Sequence, residues 1–171
     1  MLNSCSHKDK ELQIPLQEND AEILTKALKF SEEKKFKQSI IEFEKLKDEH
    51  PYSNYSGHAL VYNAYLNFEL NNLDKTISIL NEYLIIDPNG KFSIYAQYMI
   101  AMCYYVQISD PRRDGKFTKL SIKKFESLIK KYPSSKYSRD ARLKLEYLKN
   151  YLATKEFEVG MYNLKNNAPS P

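Results

Sequence analysis

The sequence predicts an all-α fold, an α-solenoid of about seven to eight helices. Three observations predict it. First, one pattern is written three times around a proline: Ser39-Ile40, Phe43 and Leu46 before Pro51, with Tyr55-Ser56 and Ala59 after it. Thr76-Ile77, Leu80, Tyr83, then Phe92-Ser93 and Ala96 stand at the same offsets from Pro88. Ser121-Ile122, Phe125, Leu128, then Tyr137-Ser138 and Ala141 do so around Pro133. Second, apolar residues between these marks recur at steps of three and four, the period of one helix face. Third, glycine is scarce: the chain has four glycines and seven prolines in 171 residues, which disfavours a turn-rich β fold.

The unit explains itself physically. Small, apolar, aromatic or apolar, and apolar residues at steps of 1, 3 and 3 lie on one side of a helix. Proline cannot continue that helix and follows its stop. The serine five residues later is a natural N-cap for the next helix, and the aromatic before it can pack back on the structure. The alanine after the cap admits a close neighbour. Each copy therefore reads as helix, turn, helix. The prolines are 37 and 45 residues apart (51 to 88, 88 to 133), a period that marks a stacked repeat. A small residue, an aromatic four later and proline eight after that resembles the second helix of a tetratricopeptide (TPR) repeat.

Taken in order, residues 1–19 form a lipobox remnant and flexible tether. Leu2-Asn3-Ser4-Cys5 resembles the end of a bacterial lipoprotein signal whose positive and apolar regions are missing, and Asn3 departs from the usual small or apolar residue. In such a site the Cys5 thiol takes a diacylglyceryl group and its freed amine an acyl chain, and three chains hold firmly where one would not. Ser6 in place of aspartate implies delivery to the outer membrane. His7 to Asn19 is polar, with Pro15 and no apolar stripe.

Residues 20–165 form the array, three repeats plus part of a fourth. Asp20 caps a helix near 21–34 marked by Ile23, Ala27 and Phe30. Its partner lies near 36–48. Repeat two has helices near 56–70 and 73–86, divided at Asn71-Asn72. Repeat three starts near Ser93 with Tyr95, Tyr98, Met102 and Tyr105 in one stripe. Cys103 sits among the packing residues Ile100 and Ala101, as a buried thiol. The irregular stretch from Ile108 to Gly115 accounts for most of the longer second spacing. Insertions of this kind map to loops, often on a working face. Its Asp110, Arg112, Arg113 and Asp114 either dock a partner carboxylate or pair among themselves. A helix near 118–131 follows, then one after Ser138, then a last helical segment over 154–165 with Phe157, Met161 and Leu164. Residues 166–171 are a disordered tail.

Composition excludes more than it assigns. Hydrophobic content of 42% supports a core and charged content of 28% a solvated surface. The net charge of +4 is mild and the lysines are scattered over helix faces, so no nucleic-acid partner is expected. No run of 18 apolar residues suits a spanning helix. Cys5 and Cys103 lie in unlike contexts, and no disulfide is expected. There is no phosphate loop, GxGxxG or CxxC. His7, His50 and His58 lack metal spacing, so neither catalytic nor metal residues nor a cofactor are expected.

A lipobox-like cysteine, TPR-like repeats, Pro51-Tyr52-Ser53-Asn54-Tyr55-Ser56, Ser109-Asp110-Pro111-Arg112-Arg113-Asp114, Tyr132-Pro133-Ser134-Ser135-Lys136-Tyr137 and Lys155-Glu156-Phe157-Glu158-Val159-Gly160-Met161-Tyr162 together resemble the BamD family. These are TPR lipoproteins of the machinery that folds β-barrels into the Gram-negative outer membrane. The resemblance covers nearly the whole chain. Family members carry about five repeats, so a C-terminally truncated member is expected. The resemblance implies a lipid anchor at Cys5 on the periplasmic face of the outer membrane. It implies BamA, other assembly-complex lipoproteins and unfolded outer-membrane proteins as partners. TPR arrays line a hollow with their first helices, which here presents Val61, Tyr65, Phe68, Tyr95, Tyr98, Met102 and Tyr105 as a peptide-binding groove. The same tyrosines serve helix-on-helix packing in the other reading. A generic TPR adaptor and an accessory lipoprotein of a cell-wall enzyme are the alternative functions.

Overall fold

The fold is a row of helices, each laid against the next in chain order. The computed structural model describes residues 18–108 and 115–166. Its helices are α1 (Asp20–Glu32), α2 (Phe36–Glu49), α3 (Ser56–Glu69), α4 (Leu73–Ile86), α5 (Ser93–Tyr105), α6 (Gly115–Lys131) and α7 (Lys136–Asn166). Cys5, the loop residues Asp110, Arg112, Arg113 and Asp114, and residues 167–171 lie outside the described residues. Consecutive helices pack together, and α5 also meets α7. This nearest-neighbour pattern is that of an α-solenoid. The all-α repeat architecture read from the sequence is the one observed.

The recurring small residue closes each helix pair. Ser39, Thr76 and Ser121 are fully buried. Their hydroxyls donate across the pair to the carbonyls of Ala27, Ala64 and Ala101 at 2.7, 3.2 and 3.4 Å. Alanine at the acceptor position leaves room for the second helix. Below this contact, Phe43, Leu80 and Phe125 fill the space between the pairs, and Leu46, Tyr83 and Leu128 lie beside them, all almost wholly buried. Donor and acceptor are 12 residues apart in the first two units and 20 in the third. The excess of eight equals the difference between the two proline spacings. The insertion therefore lies between α5 and α6 and leaves the third pair's contact in register.

Within the first two units the chain reverses through a left-handed residue, Lys34 (φ 58°) and Asn71 (φ 60°). The next amide bonds back across the helix end, Lys35 to the Phe30 carbonyl and Asn72 to the Asn67 carbonyl, each at 2.8 Å. Asparagine tolerates this conformation readily, whereas lysine gives up about 1 kcal/mol to adopt it.

Asn19, not Asp20, caps α1, its side chain accepting the Glu22 amide at 2.9 Å. Two larger expectations are corrected. The serine after each proline is not an N-cap. Helices α3 and α5 begin on Ser56 and Ser93 themselves, after Tyr55 and Phe92. Ser93 and Ser138 are buried and donate to the carbonyl of the residue preceding the proline, Asp87 and Tyr132, at 2.9 and 2.6 Å. They tie the turn shut. The cap of α7 comes from Ser135, whose hydroxyl accepts the Ser138 amide at 3.0 Å.

The second correction concerns the segment near 154–165, which is not a separate helix. It continues α7, which runs unbroken for 31 residues. Counted from the serine after the proline, Ala153 occupies the place of Asn71. Alanine is the best helix former and a poor left-handed residue, so nothing stops the helix there. Glu146 likewise stands where Ala64 and Ala101 accept their hydroxyls. The fourth unit thus lacks both the turn and the small residue that would seat a second helix. Ser138, Ala141 and Leu148 anchor the first half of α7, while Phe157 (68% exposed), Met161 and Leu164 on its second half are uncovered.

These contacts set an order of stability effects. Thr76→Val removes the buried hydroxyl at constant shape and lowers unfolding free energy by about 1 kcal/mol. Ala64→Leu overfills the same contact and costs about 1–3 kcal/mol or more. Ile41→Ala, on an exposed side chain, changes it by less than about 0.5 kcal/mol. Urea denaturation of the three variants checks the ranking.

Candidate functional site

The first helices α3, α5 and α7 share one face of the stack, and aromatic side chains crowd it. Between them lies a recess of about 320 Å³ lined by Val61, Tyr62, Tyr65, Phe92, Tyr95 and Tyr137. Local sequence places each wall. Val61 and Tyr65 are one helical turn apart on α3, and Tyr62 is beside them. Tyr95 lies in the first turn of α5, and Phe92 and Tyr137 are the aromatics four residues after Pro88 and Pro133.

Aromatic contacts continue past the recess and pass through the buried Phe125 of the third core. Tyr137 packs against Tyr95 and Tyr98, with ring centroids 5.7 and 5.2 Å apart. Phe125 lies 6.2 Å from both Tyr98 and Tyr105. Tyr105 meets Tyr147, which stacks on Tyr151, each pair at 6.4 Å. Such a row offers apolar area with polar tips.

One polar knot holds the row in place. The Tyr98 hydroxyl donates to Asp140 at 2.5 Å, and the Lys144 ammonium pairs with the same carboxylate at 2.8 Å while lying over the Tyr105 ring. Burial pushes the Asp140 carboxyl up, but the bonds from Lys144 and Tyr98 outweigh it and hold the group below the usual carboxylate value. Burial raises the Tyr98 phenol, and the bond to Asp140 raises it further. Burial likewise pushes Tyr95 up to about 12, with nearby Tyr137 adding to the effect. Tyr65 is also raised, by burial and then by the Glu69 carboxylate. These phenols stay neutral at ordinary pH. They can donate and accept hydrogen bonds but do not serve as bases. Burial drives the Cys103 thiol up to about 12, and its side chain is fully enclosed.

Of the seven groove residues read from the sequence, Val61, Tyr65 and Tyr95 line the recess and Tyr98 adjoins it. Phe68 is partly buried against the second unit's core. Met102 and Tyr105 are partly buried against the third unit's core, and Tyr105 reaches the recess only through the aromatic row. Three walls escaped the sequence reading. Phe92 and Tyr137 were visible as the repeated aromatic before the serine but were assigned a purely local packing role. Tyr62 stands off the Val61–Tyr65 stripe and carried no pattern signal.

Comparison with known proteins places this geometry in a family. A family model described as outer membrane lipoprotein, YfiO, matches residues 16–171. The chain is 34% identical over 138 residues to an outer membrane protein assembly factor BamD from Rickettsia prowazekii, covering 81% of this chain and 55% of that protein. It is 30% identical over 129 residues to the BamD of Caulobacter vibrioides, covering 75% of this chain and 42% of that protein. The BamD of Haemophilus influenzae is 22% identical over 178 residues, 98% of this chain and 67% of that protein. The chain spans about half the length of the first two of these relatives.

The raised phenols set the alkaline behaviour. A phenol whose folded pKa lies above its unfolded value of about 10 favours folding fully below pH 10 and loses that contribution as pH rises through the folded value. For Tyr95 the loss falls between about pH 10 and 12. In an ultraviolet titration of phenolate formation, Tyr95→Phe and Tyr98→Phe each remove a late-ionising tyrosine and leave the early ones. Tyr95→Phe also flattens the fall in denaturation midpoint across that window.

Proposed function

This chain belongs to the YfiO family of outer membrane lipoproteins, and from that premise we propose that it is a periplasmic scaffold of outer-membrane protein assembly. It is held at the membrane by lipid on Cys5 and grips unfolded barrel proteins along its tyrosine row. BamA and the companion lipoproteins of the assembly machinery are its fixed partners, and barrel precursors its passing ones. The function is binding without catalysis. The observation that carries this reading is the recess walled by Val61, Tyr62, Tyr65, Phe92, Tyr95 and Tyr137.

The recess suits an extended peptide for stated reasons. Its size accommodates an aromatic side chain, and its walls are aromatic. The phenols of Tyr65 and Tyr95 are neutral. Tyr65 is bonded to Glu69 and can still accept from a backbone amide, and Tyr95 can bond an amide or a carbonyl, so a strand-like segment can meet them while a side chain fills the recess. The aromatic row beyond it allows a second or third side chain to stack as the peptide runs along the array. Rigid aromatics of this sort give up little rotamer freedom on binding, which favours recognition of a flexible ligand.

A photo-crosslinking residue in place of Tyr65 is expected to capture peptides from the terminal strand of an outer-membrane barrel protein. Tyr95→Asp, which places charge at the centre of the recess, is expected to weaken that binding tenfold or more, on the order of a hot-spot loss. Equal capture of the peptide by the variant rejects the groove reading. Affinity purification from detergent-solubilised outer membrane is expected to recover BamA, and recovery of unrelated proteins alone rejects the scaffold reading. Mass spectrometry of the native N-terminus checks acylation of Cys5.

A further inference from the structure

A second surface of the molecule is the edge where one unit turns into the next, and it borders the recess at Phe92. The residues just before α1 are tied to this edge. The Glu18 carbonyl lies 2.9 Å from His50 Nε2, and Ser53 donates to the Asp20 carboxylate at 2.6 Å. Glu18 also pairs with Lys45. Whatever precedes residue 18 therefore leaves the array beside the Pro51 turn.

The three proline turns lie side by side along this edge. A crevice of about 410 Å³ is lined jointly by the first turn, through Pro51 and Asn54, and the second, through Ile86, Asp87 and Lys91. Gln97 in the early part of α5 donates to the Tyr132 hydroxyl at the third turn, at 3.3 Å. The edge combines two kinds of side chain. Tyr52 at the first turn is 99% exposed, and Ile85 and Ile86 at the second are 82% and 66% exposed. Lys91, Lys131 and Lys136 each lie over the neighbouring aromatic ring, with ammonium groups 5.0–5.4 Å from its centre. Lys130 stands exposed beside Lys131 at the end of α6. Glu18, Asp20, Asp48 and Glu49 stand beside the first turn and Glu82 and Asp87 beside the second, with Glu18 paired to Lys45 and Glu82 to Lys47, so the cationic surplus lies toward the third turn.

We propose that this turn edge rests on the surface of an anionic lipid bilayer, with Tyr52, Ile85 and Ile86 entering the headgroup region and the lysines of the second and third turns meeting lipid phosphates. Apolar tips flanked by lysines whose stems cover aromatic rings are the chemistry of a peripheral membrane contact. Largely exposed aliphatic side chains at the turn next to the one that Glu18 meets fit a lipid partner better than a soluble one. No helix among the described residues is long and apolar enough to cross a membrane, so the contact is superficial. The contact deepens the lipid-anchored reading above by fixing which side of the array faces the bilayer. A contact of this kind orients the array, and the tyrosine recess with it, relative to the bilayer.

The test uses the full chain with Cys5→Ser, so that no acyl chain contributes. The protein is sedimented with vesicles of phosphatidylethanolamine and phosphatidylglycerol, and separately with vesicles of phosphatidylcholine. Binding to the anionic vesicles at low salt, weakened at high salt, is expected. Paired Ile85→Glu and Ile86→Glu is expected to lower the bound-to-free ratio by roughly tenfold. Ile41→Glu, in the middle of α2, is expected to leave it unchanged, and circular dichroism confirms that both variants are folded. Absence of binding to anionic vesicles at low salt overturns the proposal, as does equal binding by the Ile85 and Ile86 variant. Equal binding to phosphatidylcholine, insensitive to salt, overturns the role of the lysines. A native Cys5 found without lipid refutes the anchored reading separately, because the vesicle assay does not depend on it.

Discussion

The array depends on how closely two helices can approach. In each complete unit a buried hydroxyl reaches a backbone carbonyl that a small alanine side chain leaves accessible. A larger acceptor residue would force the pair apart, and an apolar donor residue would forgo the bond. The contact is small in energy but strict in geometry. It fixes the rotation of the second helix about its axis, and so decides which residues face the next unit. Phe43, Leu80 and Phe125 then fall into equivalent places, and three cores of the same kind form along the chain. Stability accrues unit by unit because each core is shared only by neighbours.

The aromatic face follows from that packing. Once the second helices fix the spacing of the first helices, side chains on α3, α5 and α7 come within ring-contact distance of one another. Tyr98 illustrates the double duty this imposes. It packs on Phe125, bonds Asp140 and, half-buried, borders the recess beside Tyr137. The packing and binding readings of these tyrosines are therefore compatible: a residue can brace two helices with one ring face and present the other outward. The Asp140–Lys144 pair holds the Tyr98 hydroxyl, and a hydrogen-bonded phenol keeps its ring at a set angle.

Much of the fold was legible because its signals are periodic. The bounds of α2 and α4 follow from the spacing of Phe36, Ile40, Phe43 and Leu46 and from Asn71-Asn72, and they match to within a residue. The serine after each proline was misread because capping and turn-tying place the same residue type at nearly the same position. Only the carbonyl it meets distinguishes them, and that carbonyl belongs to the preceding helix. The continuity of α7 was missed because a helix that fails to stop leaves no mark of its own; the clue was the alanine at position 153 where a left-handed residue stood before. The recess was half legible. The stripes of α3 and α5 mark Val61, Tyr65 and Tyr95, but Phe92 and Tyr137 reach the recess from the starts of two helices that a periodic pattern treats separately. Such meetings are a property of the stack and not of any one stretch.

The unbroken α7 has a mechanical corollary. At 31 residues it is roughly 46 Å long, and only its first half shares a core with the rest. The second half is a short helix sustained by its own ladder, a regime in which isolated helices are marginal in water. It can therefore melt and reform without disturbing the folded units, like the free end of a spring whose coils are clamped at the base. Whatever settles on Phe157, Met161 and Leu164 gains a helix and disrupts nothing.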